Sequence, residues 1–395
     1  MALSLITTEE NKKKKGGDIV KLEVSHKELR TVLEKAWETK LALFIWGAPG
    51  IGKSSSVRDF AMDMAKRLGR EYKEWSHLTK EEKEAIKKNP KKYFLLYDIR
   101  LSQYDPSDLR GLPALNGQET VEWKIPEWVY IYSLKDIAGI IFFDEINLAP
   151  PSVQAGAYQI ILDRCISDTK LSDNVLIISA GNRIQDMANV YDLPKPLQNR
   201  FIHCVLKIPT AEEWTEWAQE KGLDSRVITF LNARPTFIFK MSEKSGDEAF
   251  PTPRSNEFWA RLIADVPSSD LKTLEMLTAT AVGTGVALEF VSFIKLQRQI
   301  DFKAILENPE KVKEINELDM KYALVSLIIE HWKKSKHSIE NFKKLFNVFR
   351  NFTEEEFQII TLRGIKQISP RIIMQAIEKL PEFRDWAKNI IKYLT

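Results

Sequence analysis

One stretch decides the fold of this chain: Gly47-Ala48-Pro49-Gly50-Ile51-Gly52-Lys53-Ser54. It follows the apolar run Leu41–Trp46 and precedes Val57–Met62, whose spacing suits an amphipathic helix. A buried strand, a glycine-rich loop and a helix start form the context that a phosphate-binding P-loop requires. A chance match in a surface loop is the weaker alternative, because both flanking elements are present. The sequence therefore predicts a nucleoside triphosphate site.

Each residue type in this loop has a physical role. Glycines let the backbone curl so that successive N–H groups converge on one anion, and the following helix N-terminus adds partial positive charge. Lys53 is expected to reach the β- and γ-phosphates, and the Ser54 hydroxyl is expected to hold Mg²⁺. The predicted nucleotide-binding residues are consecutive: Gly47, Ala48, Pro49, Gly50, Ile51, Gly52, Lys53, Ser54 and Ser55.

A second decisive stretch is Gly139–Asn147, in which four apolar residues precede Asp144 and Glu145. Such a run predicts a buried parallel strand, and ligands bind at the carboxyl ends of strands in open α/β sheets. Asp144 is therefore expected to coordinate Mg²⁺ beside Ser54, and Glu145 to polarise the attacking water. An acid that merely caps a strand end is the alternative, which the P-loop upstream disfavours.

Three further polar residues stand at element boundaries. Asn182 ends the buried run Asn174–Gly181, where an amide can orient the lytic water or sense the γ-phosphate. Arg200 precedes the strand Ile202–Leu206 and is expected to be exposed near a sheet edge, at a subunit boundary. Arg254 follows Pro253 at a helix start, where a guanidinium can reach phosphate oxygens.

The remaining core is predicted more coarsely. The pattern of Val20–Trp37 predicts a short strand and a helix beside the P-loop strand. Residues 66–92 are predicted to form an exposed helical segment, and Tyr93–Arg100 is predicted to form a second strand. Asn116-Gly117 is a hairpin signal. Two interpretations stay open for Trp123 and Trp128 beyond it: contact with a substrate, or local packing.

Composition is that of an ordinary globular protein. The 395 residues are 44% hydrophobic and 29% charged, and the net charge of +3 gives no whole-protein argument for nucleic acid or membrane. No apolar run is long enough to span a membrane, and two cysteines favour a reducing compartment. We expect a cytoplasmic protein. The run Lys12–Lys15 is interpreted as part of a solvated leader, with an anionic partner as the alternative.

In order and spacing, GAPGIGKS, IIFFDEIN, SAGN, LQNRF and PTPRS resemble the motifs of AAA+ ATPases and, within them, of the MoxR and dynein-related branch. The segment DPSDLRGLP is similar to that branch too. The resemblance covers residues 20–300. It implies an α/β nucleotide-binding core over 19–209, after a leader of 1–18, and a helical lid over 210–300, with 301–395 as a helical extension.

The resemblance also implies roles and partners. Gly47, Gly52, Lys53 and Ser54 match Walker A, Asp144 and Glu145 match Walker B, and Asn182 matches sensor 1. Arg200 matches the arginine finger, which acts on the nucleotide of a neighbouring subunit, and Arg254 matches the sensor 2 arginine. Arg183, directly after Asn182, is a second candidate for the finger. The implied assembly is a homo-oligomeric ring, usually of six subunits.

The leading functional hypothesis is an ATPase that uses ATP and Mg²⁺ to remodel protein clients. Members of that branch often work with a von Willebrand factor A domain, which would have to be a separate polypeptide. The alternative is a nucleic-acid-associated or McrB-like NTPase motor, which the absence of a basic stripe interleaved with aromatic residues disfavours. A third hypothesis is a nucleotide-gated scaffold without turnover, and Glu145 argues against it.

Overall fold

The computed structural model describes residues 23–115, 121–183, 191–241 and 249–390. The predicted leader 1–18 and the Asn116-Gly117 turn lie outside these ranges. The chain divides into two compact units: residues 1–49 with 53–207, and residues 50–52 with 208–395.

The first unit contains all the strands within the described ranges. In chain order they are β1 (Glu23–Val24), β2 (Leu43–Trp46), β3 (Glu71–Glu74), β4 (Tyr93–Arg100), β5 (Leu112–Leu115), β6 (Val121–Lys124), β7 (Ala138–Asp144), β8 (Cys165–Ile166), β9 (Thr169–Lys170), β10 (Val175–Gly181) and β11 (Ile202–Leu206). Its helices are α1 (His26–Thr39), α2 (Lys53–Arg67), α3 (Lys80–Lys88), α4 (Pro106–Arg110), α5 (Glu127–Ser133), α6 (Pro151–Asp163) and α7 (Lys195–Gln198).

Seven strands form one sheet in the order β1-β11-β2-β10-β7-β4-β3, and every neighbouring pair is parallel. Every residue of β2, β7 and β10 is buried, which explains why these strands are continuous apolar runs rather than alternating patterns. The predicted α/β core is confirmed, with the P-loop joining the interior strand β2, third in the sheet, to α2.

Two predicted details are wrong. Glu71–Glu74, expected within a helical segment, is the edge strand β3, paired only with β4. An edge strand needs no apolar run, because one side of it faces solvent, and charged side chains there are common. The short strand β1 pairs with β11 and not with the P-loop strand, so β11 lies second from the edge.

The hairpin region gives a divided result for the two tryptophans. β5 and β6 pair antiparallel on either side of residues 116–120. Trp128 is 4% exposed, and its ring centroid lies 5.5 Å from that of Tyr97, so it packs locally. Trp123 on β6 is 48% exposed. A substrate contact by Trp123 stays a prediction.

The second unit is helical beyond residue 210, which confirms the predicted helical C-terminal region. Its helices are α8 (Ala211–Glu220), α9 (Ser225–Ala233), α10 (Pro253–Leu262), α11 (Leu271–Val282), α12 (Thr284–Gln299), α13 (Phe302–Glu307), α14 (Leu318–Lys334), α15 (Ile339–Phe349), α16 (Glu355–Ile368), α17 (Pro370–Lys379) and α18 (Pro381–Ile390). Buried aromatic residues hold them together, for example Phe230, Trp259 and Phe290 in edge-to-face contacts.

The buried guanidinium group of Arg226 connects α9 to the segment that follows α10. It is 4% exposed and makes a bidentate pair with Asp224 at 2.7 and 3.0 Å. It also donates to the carbonyl oxygens of Ile263 and Val266, both at 2.7 Å. Within the described ranges, no helix is both long enough and apolar enough to cross a membrane.

Candidate nucleotide site

The P-loop lies at the carboxyl end of the sheet. β2 ends at Trp46 and α2 begins at Lys53, so six residues make the turn between them. Gly50 and Gly52 have φ values of +75° and +105°, which residues with a Cβ rarely adopt. The first turn of α2 follows at once, and its free N–H groups and dipole favour an anion there.

Lys53 points back into this turn. It is 7% exposed, and its Nζ donates to the carbonyl oxygens of Gly47 at 2.7 Å and Ala48 at 2.9 Å. A third bond, of 2.9 Å, goes to Oδ1 of Asn182. A buried ammonium group needs such acceptors, and these three match its three N–H donors. The structure thus brings Lys53 and Asn182 together.

Ser54 and Asp144 also meet. The Ser54 hydroxyl donates to Oδ2 of Asp144 at 2.6 Å, and Oδ1 accepts from the backbone N–H of Glu145 at 3.0 Å. Among the residues that the structure describes, no group of three or more His, Cys, Asp or Glu side chains is arranged to hold a metal ion. One hydroxyl and one carboxylate suit Mg²⁺ instead, which usually takes few protein ligands and completes its shell with phosphates and water.

Glu145 follows the end of β7 in a left-handed conformation, with φ 53° and ψ 35°. For a residue with a Cβ this conformation costs about 1–2 kcal/mol, and such strain is often kept where it aims a functional side chain. Glu145 is half-buried, beside Asp144 at the carboxyl end of the sheet.

Asn182 is positioned by a residue that the sequence did not single out. Asn147, 2% exposed, donates from Nδ2 to the backbone carbonyl of Asn182 at 2.7 Å. Its Oδ1 accepts from the backbone N–H of Asn182 at 3.2 Å. The available signal was the amide three residues after Asp144. Only the pairing of β7 with β10 shows what that amide contacts.

Asp98 on β4 is a second residue that sequence reasoning missed, because the whole run Tyr93–Arg100 was interpreted only as a strand. Burial, together with the negative charge of Asp144, raises the pKa of Asp98 to about 6, against the opposing effect of Arg58. Arg58 approaches no closer than 3.8 Å, and Oδ1 of Asp98 accepts no hydrogen bond from the described residues. An acid with a raised pKa thus lies on the strand next to that of Asp144.

Arg200 lies at the opposite end of the sheet from the P-loop. It is exposed and precedes β11, whereas Gly47 follows β2. Ile202 is level with Leu43, and Val205 with Trp46. At about 3.3 Å per residue, three residues separate the two strand ends by about 10 Å before either loop is added. The chain therefore does not bring Arg200 to its own P-loop.

The two other arginines are also placed. Arg183 approaches Glu23 at 4.0 Å, with its side chain 25% exposed. Arg254 lies in the first turn of α10, at the helix start predicted from its position after Pro253, and its side chain is exposed. Its backbone N–H donates to the carbonyl oxygen of Gly50, a residue grouped with the same unit, at 3.1 Å. The α10 N-terminus also has a capping box made by Thr252 and Ser255.

No protein-family model matches the sequence, and no curated protein matches it. Solved structures that are similar include the RuvB Holliday junction branch migration motor of Thermotoga maritima, with 16% identity and a TM-score of 0.31. The match covers 89% of the present chain and 86% of the RuvB chain, and coverages are given in the same order below. A putative ATPase from Cytophaga hutchinsonii has 13% identity, 89% and 78% coverage, and a TM-score of 0.30. PCH-2 of C. elegans has 13% identity, 76% and 67% coverage, and a TM-score of 0.28. Likeness at this level carries no information about what this chain does.

Proposed function

We propose that this chain is a MoxR-like AAA+ ATPase, which binds and hydrolyses ATP with Mg²⁺ in a homo-oligomeric ring of six subunits and remodels protein clients in the cytoplasm. One observation carries the proposed ATP hydrolysis, whereas the MoxR-like branch, the ring and the protein clients rest on the motif resemblance. At the carboxyl end of one parallel sheet, Ser54 meets Asp144 at 2.6 Å, and Lys53 meets Asn182 at 2.9 Å. A hydroxyl, a carboxylate, an ammonium and an amide around a P-loop are the parts that phosphoryl transfer needs.

The P-loop residues bind the triphosphate in this mechanism. Residues Gly47–Ser55 surround the phosphates, which accept hydrogen bonds from the backbone N–H groups of residues 50–55 at the end of the loop and the start of α2. Lys53 exchanges its carbonyl acceptors for phosphate oxygens. Lys53 is already desolvated, at 7% exposure, so this exchange requires little further desolvation of the ammonium group. Ser54 and Asp144 would hold Mg²⁺ on their oxygen atoms. When bound there, the metal neutralises the charge on the phosphates.

Glu145 and Asn182 act on the attacking water. Glu145 accepts a hydrogen bond from the water and raises its nucleophilicity, while the Asn182 amide orients it toward the γ-phosphate. Reactions of this kind depend on positioning and charge stabilisation rather than on covalent chemistry. The fixed conformation of Glu145 and the hydrogen bonds that hold Asn182 support these roles.

Arg200 acts in trans, on the nucleotide of a neighbouring subunit. Its exposure and its position at the far end of the sheet from its own P-loop support this assignment over a role in cis. An arginine finger contributes about 10³–10⁵ to the rate, so hydrolysis would depend on assembly. Arg254 is assigned to the sensor 2 position at the start of α10.

The first experiment measures ATP and GTP hydrolysis with Mg²⁺ and with EDTA. We expect Mg²⁺-dependent turnover of ATP, abolition of nucleotide binding by Lys53→Ala, and ATP binding without turnover by Glu145→Gln. Glu84→Gln, at an exposed position on α3, is the matched control and should keep wild-type turnover. Wild-type turnover by Glu145→Gln would rule out the role of Glu145, and tight ATP binding by Lys53→Ala would refute the P-loop assignment.

Mixed assemblies test the trans role. Arg200→Ala subunits keep an intact P-loop, and Lys53→Ala subunits keep an intact finger, so mixing them should restore turnover above that of either variant alone. The same mixture with Arg183→Ala in place of Arg200→Ala tests the competing arginine. If mixed assembly is confirmed and the mixture with Arg200→Ala hydrolyses ATP no faster than either variant alone, Arg200 is not the arginine finger.

Partner and client are sought with the Glu145→Gln variant, which should keep the ring in its ATP-bound form. Affinity capture with ATP should recover a protein that is released by EDTA, and a separate polypeptide with a von Willebrand factor A domain is expected among such proteins. A motor that acts on nucleic acid would instead show ATPase stimulation by DNA that falls steeply with salt.

A further inference from the structure

One side chain holds the backbone of Asn182 at two points. Asn147 uses its Nδ2 for the Asn182 carbonyl at 2.7 Å and its Oδ1 for the Asn182 N–H at 3.2 Å. Both residues are almost fully buried, at 2% and 5% exposure. A carboxamide that bonds both groups of another residue fixes that residue in position and in orientation.

The contact is close enough to restrict the neighbouring residue. A Cβ on Gly181 would lie 2.7 Å from Oδ1 of Asn147, nearer than a Cβ atom approaches another heavy atom. Glycine at this position thus lets the amide reach the end of β10. The backbone carbonyl of Asn147 is used as well, since it accepts from the N–H of Tyr191 at 2.8 Å.

The connection continues into the nucleotide site. Asn147 lies in the 3₁₀ turn Ile146–Leu148, directly after Asp144 and Glu145. Asn182 in turn accepts from Nζ of Lys53 at 2.9 Å. The segment with the two acids is therefore linked by one buried side chain to the residue that contacts Lys53.

We propose that Asn147 is a positioning residue, which sets the Asn182 side chain against Lys53 and couples it to the segment of Asp144 and Glu145. The proposal rests on the ATPase function proposed above. Asn147 acts through Asn182 and does not itself touch the nucleotide. A misplacement of about 1 Å in a positioned group can cost about 10²-fold in rate.

A double-mutant cycle in turnover is the first test. Asn147→Ala should lower kcat by about 10–100-fold, and the Kd for an ATP analogue should change by less than about threefold. The combination with Asn182→Ala should turn over no more slowly than Asn182→Ala alone, because both changes remove one function. Unchanged kcat in Asn147→Ala, or losses that multiply in the double variant, would overturn the proposal.

Hydrogen–deuterium exchange gives a readout that does not need turnover. Without the Oδ1 acceptor, the backbone N–H of Asn182 should exchange faster in peptides that contain it. Gln154→Ala is the matched control: its amide is fully buried in the same unit and donates to the carbonyl of Ala149, away from Asn182. Equal exchange in Asn147→Ala and Gln154→Ala at Asn182 would contradict the inference.

The two readouts also separate this inference from the proposed function. If the wild type does not hydrolyse nucleotide, the ATPase proposal fails, and exchange at Asn182 still decides whether Asn147 positions it. If the wild type is active and Asn147→Ala matches it in both readouts, only the inference fails.

A second variant covers the case in which Asn147→Ala does not fold. Asn147→Asp keeps the volume and one acceptor, but it presents an oxygen to the Asn182 carbonyl. Its turnover relative to wild type should recover as pH falls, because protonation restores a donor to that carbonyl. A ratio that does not vary with pH would count against the proposal.

Discussion

The substitution Asp98→Asn tests the electrostatics of the candidate site through stability. Burial and the charge of Asp144 raise the pKa of Asp98 from its ordinary 3.8 to about 6. Each unit of pKa difference corresponds to about 1.36 kcal/mol, so the shift of Asp98 can lower the free energy of unfolding by at most about 3 kcal/mol. The side chain is 21% exposed, so solvent screening reduces the expected effect to about 1–2 kcal/mol.

The direction follows from proton binding. Between pH 3.8 and about 6 the folded protein retains the Asp98 proton and the unfolded chain does not, so this residue makes the protein less stable as pH rises. Above pH 6 the full cost of the buried charge remains. Asp98→Asn removes that charge, so its stability relative to the wild type should increase from pH 4 to pH 6 and then stay constant.

The assay is urea unfolding in EDTA at half-unit pH intervals, followed by tryptophan fluorescence. Because all other groups are common to both proteins, the difference between them reports on Asp98 and on its interaction with the neighbouring charges of Asp144 and Arg58. Asp163→Asn, at an exposed position of the same unit, is the matched control for the loss of one negative charge. A difference that does not vary with pH, or a wild type more stable than Asp98→Asn at pH 7.5, would refute the reasoning.

Three other changes have defined outcomes. Ser54→Ala should weaken ATP binding, measured by titration calorimetry, by about tenfold in Mg²⁺ and by less than twofold in EDTA. Equal losses in the two conditions would show that Ser54 is not a metal ligand. Gly181→Ala should destabilise the protein by about 1–3 kcal/mol, because its Cβ would lie 2.7 Å from Asn147 Oδ1 and 2.9 Å from Phe44. Thermal unfolding measures this loss, and an unchanged Tm would contradict it. Arg226→Ala should cost about 3–5 kcal/mol in urea unfolding, since it leaves Asp224 buried without its partner; a loss below 1 kcal/mol would show that the pair is not needed.

Short-range patterns were sufficient to predict the strands of the core and the P-loop. The runs Tyr93–Arg100 and Ile202–Leu206 are strands with the bounds that the sequence indicated. Buried parallel strands are predominantly apolar, so the polar residues that follow the runs Gly139–Phe143 and Asn174–Gly181 are predicted to stand at strand ends. For this reason Asp144, Glu145 and Asn182 were identified as candidates before any contact was known. The edge strand Glu71–Glu74 has no such pattern, because none of its residues is fully buried, and the sequence does not identify it.

The sequence by itself determined which chemical groups follow the buried strands β2, β7 and β10, because continuous apolar runs mark those strands. Only the tertiary structure decided which of those groups meet. The order of strands put Asn147 against Asn182 and Asp98 near Asp144, and it left Arg200 at the far end from its own P-loop. Strand order depends on the packing of segments far apart in the chain, and no local spacing records it.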